Sequence, residues 1–341
     1  MRPGARLGRV LGHAGGLAAA AAGGALFHAL GVPIGWVLGA LLGAAIWSNT
    51  TGRGGLGRQA RRAGQLVLGC ATASILTPAL LAEMAVALPA MALAALVAIL
   101  VALGFAPTFA RLADVDRKTA LLSVLPAGLA EMAGLAQDRG ARVEVVTLAH
   151  TIRVTALVLT LPVLVGAARQ PLTPAEGDLR VTLVCLGLSL VLAWAMNRAG
   201  FLNPWIVLPV IVGAALTLAG FRLAALPPWA IVAAQVAIGG SLGARLQVDR
   251  FARMPRVLGA ALLSTLLLYA GTALVLAPVC WWVYDIDLAT FALALAPGGL
   301  AEMLAAAKAI GAAVPMVLGF QLLRSLVTNL SAAWLLGRAL R

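Results

Sequence analysis

Pro126-Ala127-Gly128-Leu129-Ala130-Glu131-Met132 returns as Pro297-Gly298-Gly299-Leu300-Ala301-Glu302-Met303, 171 residues further on. That spacing is half of the 341-residue chain, so the chain is an internal duplication. Each copy sets a proline, a glycine and one carboxylate within apolar sequence. Proline lacks an amide donor and clashes with a continuing helix, and glycine loosens the backbone. The two copies therefore read as helix breaks that carry a charge, at corresponding places in the two halves.

Composition fixes the surroundings of these breaks. Apolar residues make up 62% of the chain and charged residues 11%. Apolar runs recur along the whole length, as in a polytopic α-helical membrane protein. The formal net charge of +13 does not indicate a nucleic-acid partner, because the basic residues are scattered through short loops. Only Lys118 and Lys308 are lysines, so 25 − 2 = 23 of the basic residues are arginines. Cys70, Cys185 and Cys280 lie in separate apolar runs and form neither a disulfide framework nor a metal site. No metal or cofactor is expected.

Six apolar segments are predicted per half. They fall near 10–30, 33–48, 64–82, 85–110, 119–136 and 144–168, then near 180–198, 203–220, 228–247, 257–284, 288–307 and 313–337. Arg2, Arg6 and Arg9 before the first run resemble a secretory signal. Its counterpart, 181–196, is internal, so the first run is expected to stay as a membrane helix. The polar, proline-containing stretch 169–178 reads as the link between repeats 1–169 and 170–341. Trp36 with Trp205, Gln65 with Gln235, Gly69 with Gly239, Met84 with Met254, and Asp114/Asp116 with Asp285/Asp287 extend the match at offsets of 169 to 171.

Loop charge indicates orientation. In the first half Arg53, Arg58, Arg61 and Arg62 follow the second segment and Arg111, Arg117 and Lys118 the fourth, while the loop at Glu83 has no basic residue. In the second half the loop equivalent to Glu83 carries Arg245, Arg250, Arg253 and Arg256, and the loop at Asp285 and Asp287 carries none. Cytoplasmic loops are enriched in arginine and lysine, so equivalent loops lie on opposite sides and the repeats are inverted. Inversion needs an odd number of crossings per repeat. The fifth segment, with its break, is expected not to cross. The expectation is ten crossings plus two re-entrant broken helices in a bacterial inner membrane, with both termini cytoplasmic.

Inverted repeats with broken helices form secondary transporters. Pro126, Gly128 and Glu131, with Pro297, Gly298, Gly299 and Glu302, are the candidate substrate or ion site. A charge at mid-membrane costs about 2.5–3.5 kcal/mol on insertion scales, so a partner or a purpose is expected. Arg153 and Arg324 each follow their glutamate by 22 residues, in the next apolar segment. His150, one helical turn before Arg153, is a candidate proton relay or a packing residue, and Gln321 occupies its equivalent place. Three readings stand: buried Glu131–Arg153 and Glu302–Arg324 ion pairs that hold helices in register, carboxylates that bind substrate or a coupling proton, or glutamates that sit at the membrane surface. His13 and His28 are expected to be structural, Trp281, Trp282 and Tyr284 interfacial anchors, and Gly39/Gly43 and Gly239/Gly240/Gly243 close helix contacts.

The duplicated Pro-(Ala/Gly)-Gly-Leu-Ala-Glu-Met element, with an arginine 22 positions beyond each glutamate, resembles the bacterial AbrB membrane-protein family over nearly the whole chain. The resemblance implies a duplicated membrane domain. Members of that family have been described as regulators of gene expression and, in older usage, as ammonia monooxygenases. Scattered histidines and the lack of a dinucleotide fingerprint argue against a monooxygenase or any other enzyme. The small β-rich DNA-binding proteins that share the AbrB name are unlike this chain. Within the motif, Ala127 stands where the second copy has Gly298. Two functions remain: a transporter or exporter of a small solute, proton-coupled or not, and a membrane-embedded regulator acting through metabolite level or a protein partner at loops 49–63 or 245–256. The bilayer and a small-molecule or ion substrate are the expected partners, and a homo-oligomer stays open.

Overall fold

The computed structural model describes residues 3–32, 34–52, 55–165, 177–199 and 203–339. Most of the expected link 169–178 lies outside them. The first half forms α1 (Pro3–Ala29), α2 (Gly35–Thr51), α3 (Arg58–Ala73), α4 (Pro78–Val86), α5 (Leu88–Ala113), α6 (Arg117–Val124), α7 (Leu129–Asp138) and α8 (Val143–Val165). The second forms α9 (Leu179–Arg198), α10 (Pro204–Leu218), α11 (Pro228–Gly243), α12 (Val248–Arg253), α13 (Pro255–Trp282), α14 (Leu288–Leu295), α15 (Leu300–Ile310) and α16 (Val314–Ala339). No strand occurs among the described residues.

Local chemistry accounts for these boundaries. Proline opens α4, α10, α11 and α13, where its missing amide costs no helical bond. Asp116 and Asp287 cap α6 and α14, accepting from the amides of Thr119 and Thr290 at 3.0 Å each. Non-glycine residues with positive φ come in matched pairs: Ile34 (53°) with Asn203 (47°), and Asp114 (54°) with Asp285 (48°). A left-handed isoleucine is costly, so its position at the entry to α2 is imposed by the surrounding fold.

Among the described residues four helices, α5, α8, α9 and α13, are long and apolar enough to cross a bilayer. They carry exposed leucines such as Leu183, Leu188, Leu266 and Leu274, which need an apolar solvent. This is a helical membrane protein. The single segment expected over 64–82 is corrected: α3 and α4 meet at 101° across residues 74–77, and together they count as a fifth candidate span. At 15 and 16 residues, α10 and α11 fall short of the ~20 that a straight span needs.

The chain divides into two compact units, which are not its sequence halves. One comprises Met1–Ala85, Ala167–Gln247 and Leu304–Gly311; the other comprises Val86–Gly166, Val248–Met303 and Ala312–Arg341. Each unit therefore draws corresponding stretches from both halves. In the first unit α2 packs on α11 and α3 on α10, while α3 also meets α11. A Cβ on Gly69 would stand 2.6 Å from the Ile206 carbonyl, and one on Gly239 would overlap the Val37 carbonyl. These contacts exchange when positions 169 or 170 apart are swapped. A Cβ on Gly39 would likewise overlap the Gly23 backbone, in keeping with close helix packing. His13 Nδ1 lies 2.6 Å from the Gly55 carbonyl and His28 stacks on Trp36, both structural contacts.

In the second unit α5 packs on α13, α5 on α16 and α13 on α8, and α6 packs on α8 as α14 does on α16. Its core gathers Phe109, Leu122, Leu125 and Met132, each fully buried, with small residues of α8 and α13 between them. The indole of Trp281 lies against Phe291 at 5.3 Å, while Trp282 is 85% exposed, as an interfacial anchor would be.

Candidate functional site

All the candidate residues fall within the second unit. The residue before a proline is biased away from the helical region. Leu125 accordingly turns to ψ 134° and Ala296 to ψ 124°, ending α6 and α14 one residue before Pro126 and Pro297. The chain resumes as helix after Gly128, at the start of α7, and after Gly299, at the start of α15.

A break of this kind orphans main-chain carbonyls. Pro126 has no N–H for the carbonyl of Leu122, four residues earlier, and Pro297 has none for Leu293. His150 Nε2 lies 2.9 Å from the Leu122 oxygen, and Gln321 Nε2 donates to the Leu293 oxygen at 2.8 Å and the Ala296 oxygen at 2.9 Å. Arg153 donates to the carbonyls of Val124 and Leu125, both at 3.0 Å. Arg324 donates to those of Leu295 at 3.1 Å and Ala296 at 2.8 Å. The arginines are only 2% and 4% exposed. Each thus places a positive charge on the negative end of a short helix, where the helix dipole favours it.

His150 and Gln321 also hold their arginines. Arg153 Nη2 donates to His150 Nδ1 at 2.6 Å, and Arg324 Nη2 donates to Gln321 Oε1. Only the neutral imidazole with its proton on Nε2 both accepts from Arg153 and donates to Leu122. An amide does the same two tasks in the other half. The guanidinium bonds described thus go to helix-end carbonyls and to these two side chains.

The carboxylates occupy the opposite ends of the breaks. Glu131 and Glu302 are the third residues of α7 and α15, each three positions after a glycine. A Cβ on Gly128 would overlap the Glu131 carboxylate, and one on Gly299 the Glu302 carboxylate. Each carboxylate therefore folds back over the glycine at the start of its own helix, where a negative charge suits the positive end of the dipole. The Gly-x-x-Glu spacing of the repeated heptapeptide gains a steric reason: a larger residue would occupy the carboxylate's place.

Thr119 and Thr290 are positioning residues that the sequence reading missed. Thr119 Oγ1 donates to Asp116 Oδ2 at 2.5 Å and accepts from the Arg142 amide at 3.0 Å. Thr290 Oγ1 accepts from the Ala313 amide at 2.8 Å. The chain after each break thereby returns to the level from which the first half-helix began. A repeated Asp-x-x-Thr, at 116–119 and 287–290, was the signal available. Burial alone would raise the Asp116 carboxyl, but the hydroxyl and amide of Thr119 together hold it below its ordinary value.

The two breaks lie close together. α6 packs on α16 as well as on α8, and α14 packs on α8 as well as on α16. A Cβ on Gly299 would reach Val154, the neighbour of Arg153, at 3.5 Å. The two breaks and their two arginines thus share one packed region.

The family described as "Transition state regulatory protein AbrB" matches residues 36–339. "Uncharacterized protein YhjN" of Bacillus subtilis (strain 168) is 29% identical over 236 residues, covering 63% of this chain and 61% of that protein. "Putative regulator AbrB" of Escherichia coli (strain K12) is 28% identical over 280 residues, 79% of each chain. The chain thus spans less than two thirds of the Bacillus protein's length and most of the Escherichia protein's. With a family match running through both breaks and both arginines, the chain belongs to the AbrB family.

Proposed function

We propose that this protein is a secondary transporter or exporter of a small solute in the bacterial cytoplasmic membrane, with both termini cytoplasmic. One observation carries the reading. Two proline-broken helices, from equivalent parts of the chain, approach each other with their exposed carbonyls held by equivalent buried arginines. Broken helices from inverted repeats meeting at mid-membrane are how secondary transporters bind polar solutes without water. The exchange of helix contacts between positions 169 to 171 apart supports a pseudo-twofold relation. The threonine bonds that bring the chain back after each break support re-entrant hairpins. The topology we infer has ten crossings, α1, α2, α3, α5, α8, α9, α10, α11, α13 and α16, with hairpins α6–α7 and α14–α15; the short α3, α10 and α11 cross with local thinning of the bilayer.

Pro126, Gly128, Glu131 and Arg153, with Pro297, Gly298, Gly299, Glu302 and Arg324, form the binding region in this reading. His150 positions Arg153 rather than relaying protons, since non-titrating Gln321 fills the same place. Metabolite profiling tests it: a strain lacking the protein, one restored with wild type and one with Glu302→Gln should differ in the level of one small solute across the membrane. Identical profiles in all three strains would remove the transport reading. Topology is tested by Gln59→Cys and Gln247→Cys in a background without Cys70, Cys185 and Cys280. Both sites should label from the cytoplasm, and labelling from opposite faces sinks the inverted arrangement.

The name of the Escherichia relative favours a second reading, regulation of gene expression. In that case a soluble partner should bind loops 49–63 or 245–256. Loss of the expression phenotype on neutralising Arg245 and Arg256, with solute levels unchanged, would favour this reading.

A further inference from the structure

A long groove in the first unit is unrelated to the two breaks. A cavity of about 1230 Å³ lies between α1, α3, α9 and α11, lined on its apolar side by Leu179, Leu183, Leu186 and Leu226. A second cavity of about 520 Å³ shares Gln59, Arg62 and Ala63 with it and continues along α9 past Leu190, Trp194 and Asn197. Positions 179, 183, 186, 190, 194 and 197 form one face of α9 at helical spacing, so the two cavities are parts of one groove.

The groove is chemically graded. At the C-terminal end of α9, Arg62 lies over the Trp205 ring at 5.2 Å and donates to Asn197 Oδ1 at 3.2 Å. Asn197 Oδ1 also accepts from Trp205 Nε1 at 3.3 Å, and Arg198 stacks on Trp194 at 3.6 Å. Arg58 and Gln59 stand beside them, and no acidic residue lines either cavity among the described residues. Away from this end the walls are mostly leucine and alanine, with His13, Pro227 and Trp229. Leu183 is 57% exposed and the rim residue Trp229 73%.

We propose that this groove holds an acidic phospholipid. Its phosphate would sit among Arg58, Arg62 and Arg198, and an acyl chain would lie along Leu190, Leu186 and Leu183. The stacked guanidiniums are pre-oriented and keep N–H donors free for a phosphate. Leu186 lies 11 residues from Asn197, or about 16 Å along the helix. One leaflet of a bilayer core is about 15 Å deep, so the change from basic to apolar walls matches one lipid. Tryptophans at the charged end are where a headgroup boundary is expected.

Full-length protein, delipidated in detergent, is given equal amounts of phosphatidylglycerol and phosphatidylcholine, and retained lipid is counted by native mass spectrometry. Wild type should retain phosphatidylglycerol preferentially. Arg62→Gln with Arg198→Gln should lower that preference on the order of tenfold, while Arg62→Lys with Arg198→Lys keeps most of it. Arg111→Gln, outside the groove, should leave it unchanged. Leu183→Trp should reduce retention of either lipid without altering charge. Equal retention of both lipids by wild type would overturn the proposal. So would a preference untouched by the glutamine pair in protein that still unfolds cooperatively. A lipid-free dimer broken by those substitutions would assign the groove to a second copy instead.

Discussion

His150 Nε2 stands 2.9 Å from the carbonyl oxygen of Leu122, the acceptor whose helical donor Pro126 removes. Gln321 meets the corresponding oxygen of Leu293 at 2.8 Å, and each of these side chains also accepts from its neighbouring arginine. The ring and the amide are therefore interchangeable as donor and acceptor. His150→Gln should unfold within about 1 kcal/mol of wild type, whereas His150→Ala should lose about 1–3 kcal/mol by leaving a buried acceptor unmet. Thermal unfolding in detergent compares the two. Equal losses would show that the shared wiring does not hold the break together.

Arg153 and Arg324 cover two carbonyls each, at the ends of α6 and α14. Arg153→Met and Arg324→Met should each cost about 1–3 kcal/mol, from one unmet carbonyl each, Val124 and Leu295, since the Leu125 oxygen keeps the Ala127 amide and the Ala296 oxygen keeps Gln321. Lysine at either position keeps the charge but lacks the planar fork that spans two oxygens, so it should fall between. Chemical unfolding of the single variants checks the order. A methionine variant as stable as the lysine one would remove the carbonyl-capping role.

The helical class and the location of both breaks were legible, because proline followed closely by glycine ends a helix where proline alone does not, as Pro107, Pro162, Pro209 and Pro278 inside α5, α8, α10 and α13 show, and a carboxylate within apolar sequence is costly. The arginines were legible as buried charges but not in their task. The spacing of 22 residues pointed to Glu131 and Glu302 as partners, while the bonds described go to Val124, Leu125, Leu295 and Ala296. Orphaned carbonyls are a property of ψ at a pre-proline residue, and no letter in the sequence stands for them. The 101° bend between α3 and α4 had only Pro78 as its sign. Ile34 in the left-handed region had none, since isoleucine disfavours that conformation locally and tertiary packing imposes it.

Gly128 and Gly134 lie six residues apart with opposite surroundings. A Cβ at Gly128 meets the Glu131 carboxylate, while one at Gly134, inside α7, meets nothing within 4 Å. Gly128→Ala should displace the carboxylate and cost about 0.5–2 kcal/mol, the usual value of a helix cap. Gly134→Ala should stabilise by about 0.5–1 kcal/mol through helix propensity. Thermal midpoints moving in the same direction for both variants would count against the folded-back carboxylate. Gly299→Ala should behave as Gly128→Ala does.

Gly69 faces the Ile206 carbonyl and Gly239 the Val37 carbonyl, two contacts that exchange under the internal duplication. Alanine at either place forces helix axes apart and should cost about 1–3 kcal/mol, similarly at both. Gly104 and Gly259 have open space where a Cβ would go, so alanine there should be neutral or mildly stabilising. Unfolding of the four single variants decides it. A large loss at Gly69 with none at Gly239 would mean that the two halves do not pack equivalently.

Thr119 holds the start of α8 to the start of α6, and Thr290 does the same for α16 and α14. Valine has the shape of threonine but cannot accept from the Arg142 or Ala313 amide. Thr119→Val should therefore cost about 1–3 kcal/mol, the range for a buried donor left without a partner. Serine keeps the oxygen and should restore most of the loss. Global stability alone does not locate the effect, so amide hydrogen exchange is the more telling readout. In Thr119→Val the peptide spanning 139–145 should exchange faster while that spanning 310–316 is unchanged, and Thr290→Val should reverse the pattern. Faster exchange at both places in both variants would mean that the two hairpins open together rather than each on its own latch.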